Sequence, residues 1–192
     1  MSERAYSGLS ITLHWLIALL IVGNLAGGFF ASGLLESEVA TDRQLGFRLI
    51  QLHKSFGLTV LVLSLARLLL RIVEGFPPLP AHMTRTERVL AKLTHGGFYA
   101  LMIGIPVAGW VMVSASPIGL PTFWFGLFAW PHLPVATSAD LAERASGVHE
   151  ALAIGAIVLL VLHVGAALKH HFLDRDEVLA RMLPFLRQRR TA

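Results

Sequence analysis

Four long stretches of this chain are nearly free of charge, each close to the about 20 residues that an α-helix needs to cross a hydrocarbon core. Between Ala5 and Leu35 no side chain carries a formal charge. That run is too long for the about 7–15-residue apolar core of a cleaved signal peptide, so it predicts a retained first span over 11–30. A second span follows over 49–70, with Lys54 and Arg67 near its ends, where long cationic side chains reach toward head groups. The third, over 93–114, contains Pro106, which predicts a kink. The fourth, over 148–168, is uncharged from Ala151 to Leu168. No internal repeat is evident, and the pattern predicts one all-α domain over 1–192, an integral membrane four-helix bundle.

The connections set the orientation. One side collects Arg4, the segment from Arg67 to Lys92 with Arg71, Arg85 and Arg88, and the tail from Lys169 through Arg175, Arg181, Arg187, Arg189 and Arg190. The other side holds Arg43, Arg48, Lys54 and Arg144. The excess of Lys and Arg on cytoplasmic loops places both termini inside, and an even number of spans agrees, since both basic ends then lie on the same side.

Composition agrees with lipid as the solvent: 55% of residues are hydrophobic and 15% charged, against about a quarter charged in soluble domains. The net charge of +4 is not gathered on one face, so nucleic acid is not an expected partner. With no cysteine there are no disulfides, thiolate metal sites, iron–sulfur clusters or covalently attached c-type haem. The chemistry falls to nine histidines.

Depth sorts them. His14 lies near the inner end of span one, and His53 near the outer start of span two. His149 lies at the outer start of span four and His163 fourteen residues deeper, about 21 Å along the axis and within about 40° of the same face. Ala153 and Ala156 lie between them, and Gly57 one turn beyond His53, small residues that leave room for a flat ligand. Matching depths pairs His14 with His163 and His53 with His149. Two facing imidazole pairs at two depths suit two non-covalent bis-histidine b haems. A single histidine at membrane depth also serves as an interhelical hydrogen-bond partner, and a zinc or proton path is a further alternative, although no span interior carries Asp or Glu for a relay.

The ordered motifs are His14-Trp15 after a short polar start, the segment His53–Gly57, Arg67-Leu-Leu-Leu-Arg71, His149-Glu150-Ala151-Leu152, Leu162-His163, and Ala-Ala-Leu-Lys-His-His ending span four. Together they resemble the bacterial cytochrome b561 family of small dihaem proteins of the prokaryotic inner membrane, over nearly the whole chain. The resemblance implies that His14, His53, His149 and His163 ligate the two haem irons, and that electrons are exchanged with ubiquinone. It also implies an outer-side small reductant, with superoxide as a candidate. The acidic residues Asp140, Glu143 and Glu150 on that side do not favour steering an anion.

Around this frame, Arg67 and Arg71 share a face near the inner end and are candidate haem-propionate partners, as is Lys54 on the outer side, with snorkelling as the plain alternative. His95, at the inner start of span three, is a candidate quinone or propionate contact or an interfacial anchor. His82, His132, His170 and His171 are assigned no chemistry. The aromatic segment 115–146 is expected to lie as an interfacial belt, with a cap over the outer haem as the alternative. The stretch 174–192 is expected to form an amphipathic basic tail on the inner face. Expected partners are the bilayer, quinone, and a small donor or another redox protein; a homo-oligomer is compatible with the pattern. Competing functions are a haem-b anchor subunit of a respiratory hydrogenase or dehydrogenase, and a haem-free metal transporter.

Overall fold

The computed structural model describes residues 6–75, 77–80 and 83–188. Arg4, His82, Arg189 and Arg190 lie outside the described residues, as does the side chain of Arg187.

Four helices long and apolar enough to cross a membrane make up the body: α1 (Gly8–Leu35), α2 (Ala40–Glu74), α3 (Arg85–Ala115) and α4 (Ala139–Phe172). Their ends are set locally. Ser7 caps α1 by accepting the Ser10 N–H, and Ser138 caps α4 by accepting that of Leu141. Thr84 and Glu87 form a reciprocal capping box at α3, satisfying amides that have no partner within the helix. At the end of α2, Gly75 turns the chain at φ 79°. Pro106 is buried within α3, which runs on through it.

Leu19, Leu69, Ile72, Leu93 and Val161 stand exposed on the outside of the bundle, as a lipid-facing surface requires. Its inside is lined by small residues, among them Ala31, Ser64, Ala153 and Ala156. Close backbone packing joins α1 to α2, α3 to α4, and more sparsely α2 to α3. A Cβ on Gly46 of α2 would lie 3.0 Å from Leu34 of α1, and Gly97 and Gly104 of α3 sit against Leu159 and Leu152 of α4. Two tight helical hairpins result, and across the space between them α4 meets α1 and α2 through histidine rings.

At the end that the basic connections predict to be outer, called outer below, the aromatic connection forms an antiparallel ribbon, β1 (Thr122–Trp124) and β2 (Phe128–Trp130), with Phe123 opposite Ala129. It therefore adds a small two-stranded element to the all-helical expectation. The turn places Phe125 at φ 48° and Gly126 at φ 74°. A bulky residue rarely takes such a φ, and Ser55 of α2 holds it there. The Ser55 hydroxyl is 1% exposed, lies 3.0 Å from the Gln51 carbonyl and 3.1 Å from that of Phe123, and accepts the Phe125 N–H at 3.0 Å. Trp124 donates its indole N–H to Thr59, one turn further along α2. The segment is thus a ribbon clamped onto the outer end of α2, beside His53. Ser55→Ala removes the clamp at a cost of about 1–3 kcal/mol for the polar groups left unpaired. Limited proteolysis at 125–127 is expected to accelerate in that variant, while the inner histidine pair is unaffected.

At the opposite end, called inner below, the segment after α4 folds back on the bundle; it contains a 3₁₀ turn, Leu179–Arg181, and a short helix, α5 (Phe185–Gln188). Trp15 donates to the Met182 carbonyl at 2.8 Å and Arg181 to that of Pro78 at 2.6 Å. His170, assigned no chemistry above, is buried, with its Nδ1 2.6 Å from Asp176 and 3.1 Å from Asp174. Glu87, His170 and Asp174 bring three ligand atoms within 4.8 Å of one another, but Lys169 already bridges Glu87 and Asp174 with its ammonium at 3.0 and 2.7 Å. That cluster is an ion-pair latch with its own cation.

Glu87 lies outside the span over 93–114. The Thr84 backbone N–H, then the Lys169 ammonium, then the Thr84 hydroxyl lower its carboxyl from 4.5 to about 2. Because the folded value is the lower one, its contribution is full above about pH 4.5 and is lost as the pH falls toward 2. A spin-label pair at 78 and 181, introduced into this cysteine-free chain, is expected to keep its distance at pH 5 and to separate below pH 4.

Candidate functional site

Three helices carry the four histidines. His14 of α1 and His163 of α4 meet near the inner end with ring centres 6.4 Å apart. His53 of α2 and His149 of α4 meet near the outer end at 6.0 Å. All four are half-buried, and the depth-matched pairs are the ones brought together. A metal held between two imidazole nitrogens at about 2.0 Å each sets those nitrogens about 4 Å apart and the ring centres about 2 Å further. Both pairs have that spacing.

The outer pair is fixed by backbone. His53 Nδ1 lies 3.0 Å from the Asn24 carbonyl of α1, and His149 Nδ1 lies 2.9 Å from the Ile105 carbonyl of α3. A carbonyl only accepts, so Nδ1 carries the proton on both rings and Nε2 keeps the lone pair that a metal takes. The inner pair sits among rings: Trp15 stands 5.2 Å from His14, and Phe98 is 5.2 Å from His163. His95 joins this cluster, 6.0 Å from His163 at the inner end of the site. Its own Nδ1 lies 2.6 Å from the Ala91 carbonyl and donates to it.

Arg67 and Arg71 are buried at the same level, at 9% and 5% exposure. Arg71 stands over the Tyr6 ring at 4.2 Å, and Arg67 is close enough to His14, His163, Tyr6 and Tyr99 to interact with them electrostatically. The Arg67 Nε has no hydrogen-bond partner among the described residues. A buried guanidinium with an unanswered N–H suits an anion, such as a haem propionate would supply. Lys54 is half-buried beside His53. Sequence reasoning did not single out Tyr6, Tyr99, Asn24, Gly28, Ile105 or Gly109. Three further buried atoms without partners among the described residues, Gln51 Oε1, Ser64 Oγ and Trp130 Nε1, were also not anticipated. The aromatic and glycine positions were visible as types, but nothing in the one-dimensional pattern set them against the histidines.

The model of the family described as prokaryotic cytochrome b561 matches residues 5–185. The chain belongs to that family. This cytochrome is 35% identical over 186 residues to cytochrome b561 homolog 2 of Escherichia coli K12, covering 95% of this chain and 93% of the relative. It is 30% identical over 182 residues to the probable superoxide oxidase CybB of Yersinia pestis, covering 95% and 97%. Cytochrome b562 of Cereibacter sphaeroides is 33% identical over 182 residues, covering 94% and 96%. This cytochrome is therefore a haem b electron-transfer protein of the bacterial inner membrane, built as a four-helix transmembrane bundle. Membership in a cytochrome family replaces the haem-free transporter alternative.

Proposed function

We propose that this cytochrome holds two b haems, one between His14 and His163 and one between His53 and His149, and passes electrons from an outer-side donor to ubiquinone. The observation that carries the reading is the pair of facing imidazole sets at two depths, each with ring centres about 6 Å apart. Bound there, each haem supplies a reversible one-electron couple whose charge is spread over the porphyrin. The chain's own residues do the rest. Nδ1–H bonds hold the outer rings in one tautomer, small residues on α4 leave space for a flat macrocycle, and Arg67 and Arg71 offer cations to inner carboxylates.

In this reading both termini are cytoplasmic, as the basic connections indicate. Superoxide is the leading donor because the relative named as a probable superoxide oxidase aligns over 97% of its own length. His95 and Tyr99, beside the inner pair, offer a ring nitrogen and a phenol to a quinone carbonyl or a propionate. A pyridine haemochrome assay on the purified chain tests the central claim. Two b haems per chain are expected; one or none overturns it. Anaerobic mixing with superoxide and then with a ubiquinone analogue tests the direction of flow, and haem that superoxide fails to reduce excludes that donor.

A further inference from the structure

We infer that Gly28 and Gly109 are positioning residues for the outer haem. Each opens a notch in its helix through which the ligand on the facing helix bonds a backbone carbonyl, and this bond, made among the described residues at the outer pair and not at the inner one, holds the outer haem at the lower midpoint potential. The inference rests on the two-haem reading above.

In an α-helix the carbonyl of residue i points toward the amide of residue i+4, and the Cα–Cβ bond of that later residue leans back over it. A side chain at i+4 therefore shields the carbonyl from a third group. The two acceptors here are Asn24 and Ile105, and the residues four positions on are Gly28 and Gly109. The same device occurs on α1 for His53 and on α3 for His149.

The fit is close in both. A Cβ at position 28 would stand 2.7 Å from His53 Cε1 and 2.8 Å from its Nδ1. A Cβ at position 109 would stand 3.1 Å from His149 Nδ1 and 3.2 Å from its Cε1. In each case the Nδ1–Cε1 edge of the ring fills the place of the absent methyl. Neighbouring Gly23 and Gly27 have nothing within 4 Å, so small residues on α1 as such do not account for it.

The inner pair is built differently. Neither His14 nor His163 makes a hydrogen bond to a backbone carbonyl among the described residues; their neighbours are Trp15, Phe98, His95 and each other. A ligand imidazole that donates Nδ1–H to a carbonyl becomes the more basic ligand and favours the ferric state. Buried cations act in the opposite sense, and Arg67 and Arg71 lie at the inner pair. Both features set the outer haem below the inner one in potential.

The test is a redox titration of the full-length protein in detergent, with the outer wave identified as the one that His53→Ala abolishes. Gly109→Ala is expected to keep both haems, raise the lower midpoint and leave the upper one in place, which narrows the separation. Gly28→Ala, with the harder overlap, is expected to lose the outer haem and halve the haemochrome count. Gly27→Ala is expected to change neither wave. Loss of the outer haem from Gly109→Ala with the upper wave intact also supports the positioning role. Unmoved midpoints in a two-haem Gly109→Ala protein overturn the inference, as does an outer wave that is the higher of the two. If Gly28→Ala does not accumulate, Gly109→Ala decides alone. A wild-type chain without two haems removes the functional reading itself, a result distinct from either.

Discussion

His149→Ala is expected to take the outer haem out of the protein and leave the inner one in place. The haemochrome count falls to half, one of the two redox waves disappears, and transfer from an outer donor to quinone drops to background. The expectation follows from the separate construction of the two pairs. His149 faces His53 at 6.0 Å, while His163, fourteen residues deeper on the same helix, faces His14. Truncating one ring removes one iron ligand and, from the α3–α4 seam, the bond to the Ile105 carbonyl and the contact at Gly109, while the packing of Gly97 and Gly104 on Leu159 and Leu152 still holds α3 against α4. His163→Ala is expected to give the mirror result, with the outer wave retained. If either variant empties both sites while the protein stays folded, the two pairs are not independent and the assignment of one haem to each is wrong.

The second large effect belongs to Arg67. Arg67→Leu is expected to lower the inner haem's midpoint and leave the outer one nearly unchanged. At an effective dielectric near 20, a unit positive charge about 8 Å from a redox centre would contribute roughly 2 kcal/mol. For a one-electron couple that is on the order of 90 mV, so a fall of several tens of millivolts is the expected reading. Arg67→Lys keeps the charge but not the planar fork, and is expected to recover most of the potential. An inner wave that does not move in Arg67→Leu places the guanidinium away from the haem and makes it a snorkelling anchor. Both variants are read by spectroelectrochemistry on the haem α-bands.

The spans were legible because lipid leaves a plain mark: apolar runs of the right length, closed by Lys and Arg. The two facing pairs were legible for a related reason, since fourteen residues nearly complete four helical turns and carry His149 and His163 back to one face. What was not legible depends on contacts between distant segments. The ribbon at 122–130 consists of three-residue strands among prolines, and its turn needs Phe125 at positive φ, a geometry that Ser55, seventy positions away, makes available. The inner latch joins His170 to Asp176 and Lys169 to Glu87, and a basic stretch ending a chain gives no sign of folding back on its own bundle. The notches were hidden for a different reason. Glycines in a membrane helix read as generic small residues, and the groups they uncover, the carbonyls of Asn24 and Ile105, belong to every residue's backbone and leave no trace in side-chain identity. His95 was placed at the right depth, but only the packing shows that it stands as close to His163 as His14 does.

The division into two closely packed hairpins bears on how the protein is made. Each hairpin is complete from consecutive sequence, so α1 with α2 and α3 with α4 can enter the bilayer and pair during synthesis with no need of the other half. The halves are joined by the sparser α2–α3 packing, by the ribbon clamped onto α2, and across α4 by ring-to-ring approaches at the two proposed haem sites. Haem capture is then expected to tighten that join last, and protein made in a cell short of haem is expected to be cut more readily by membrane proteases along the seam.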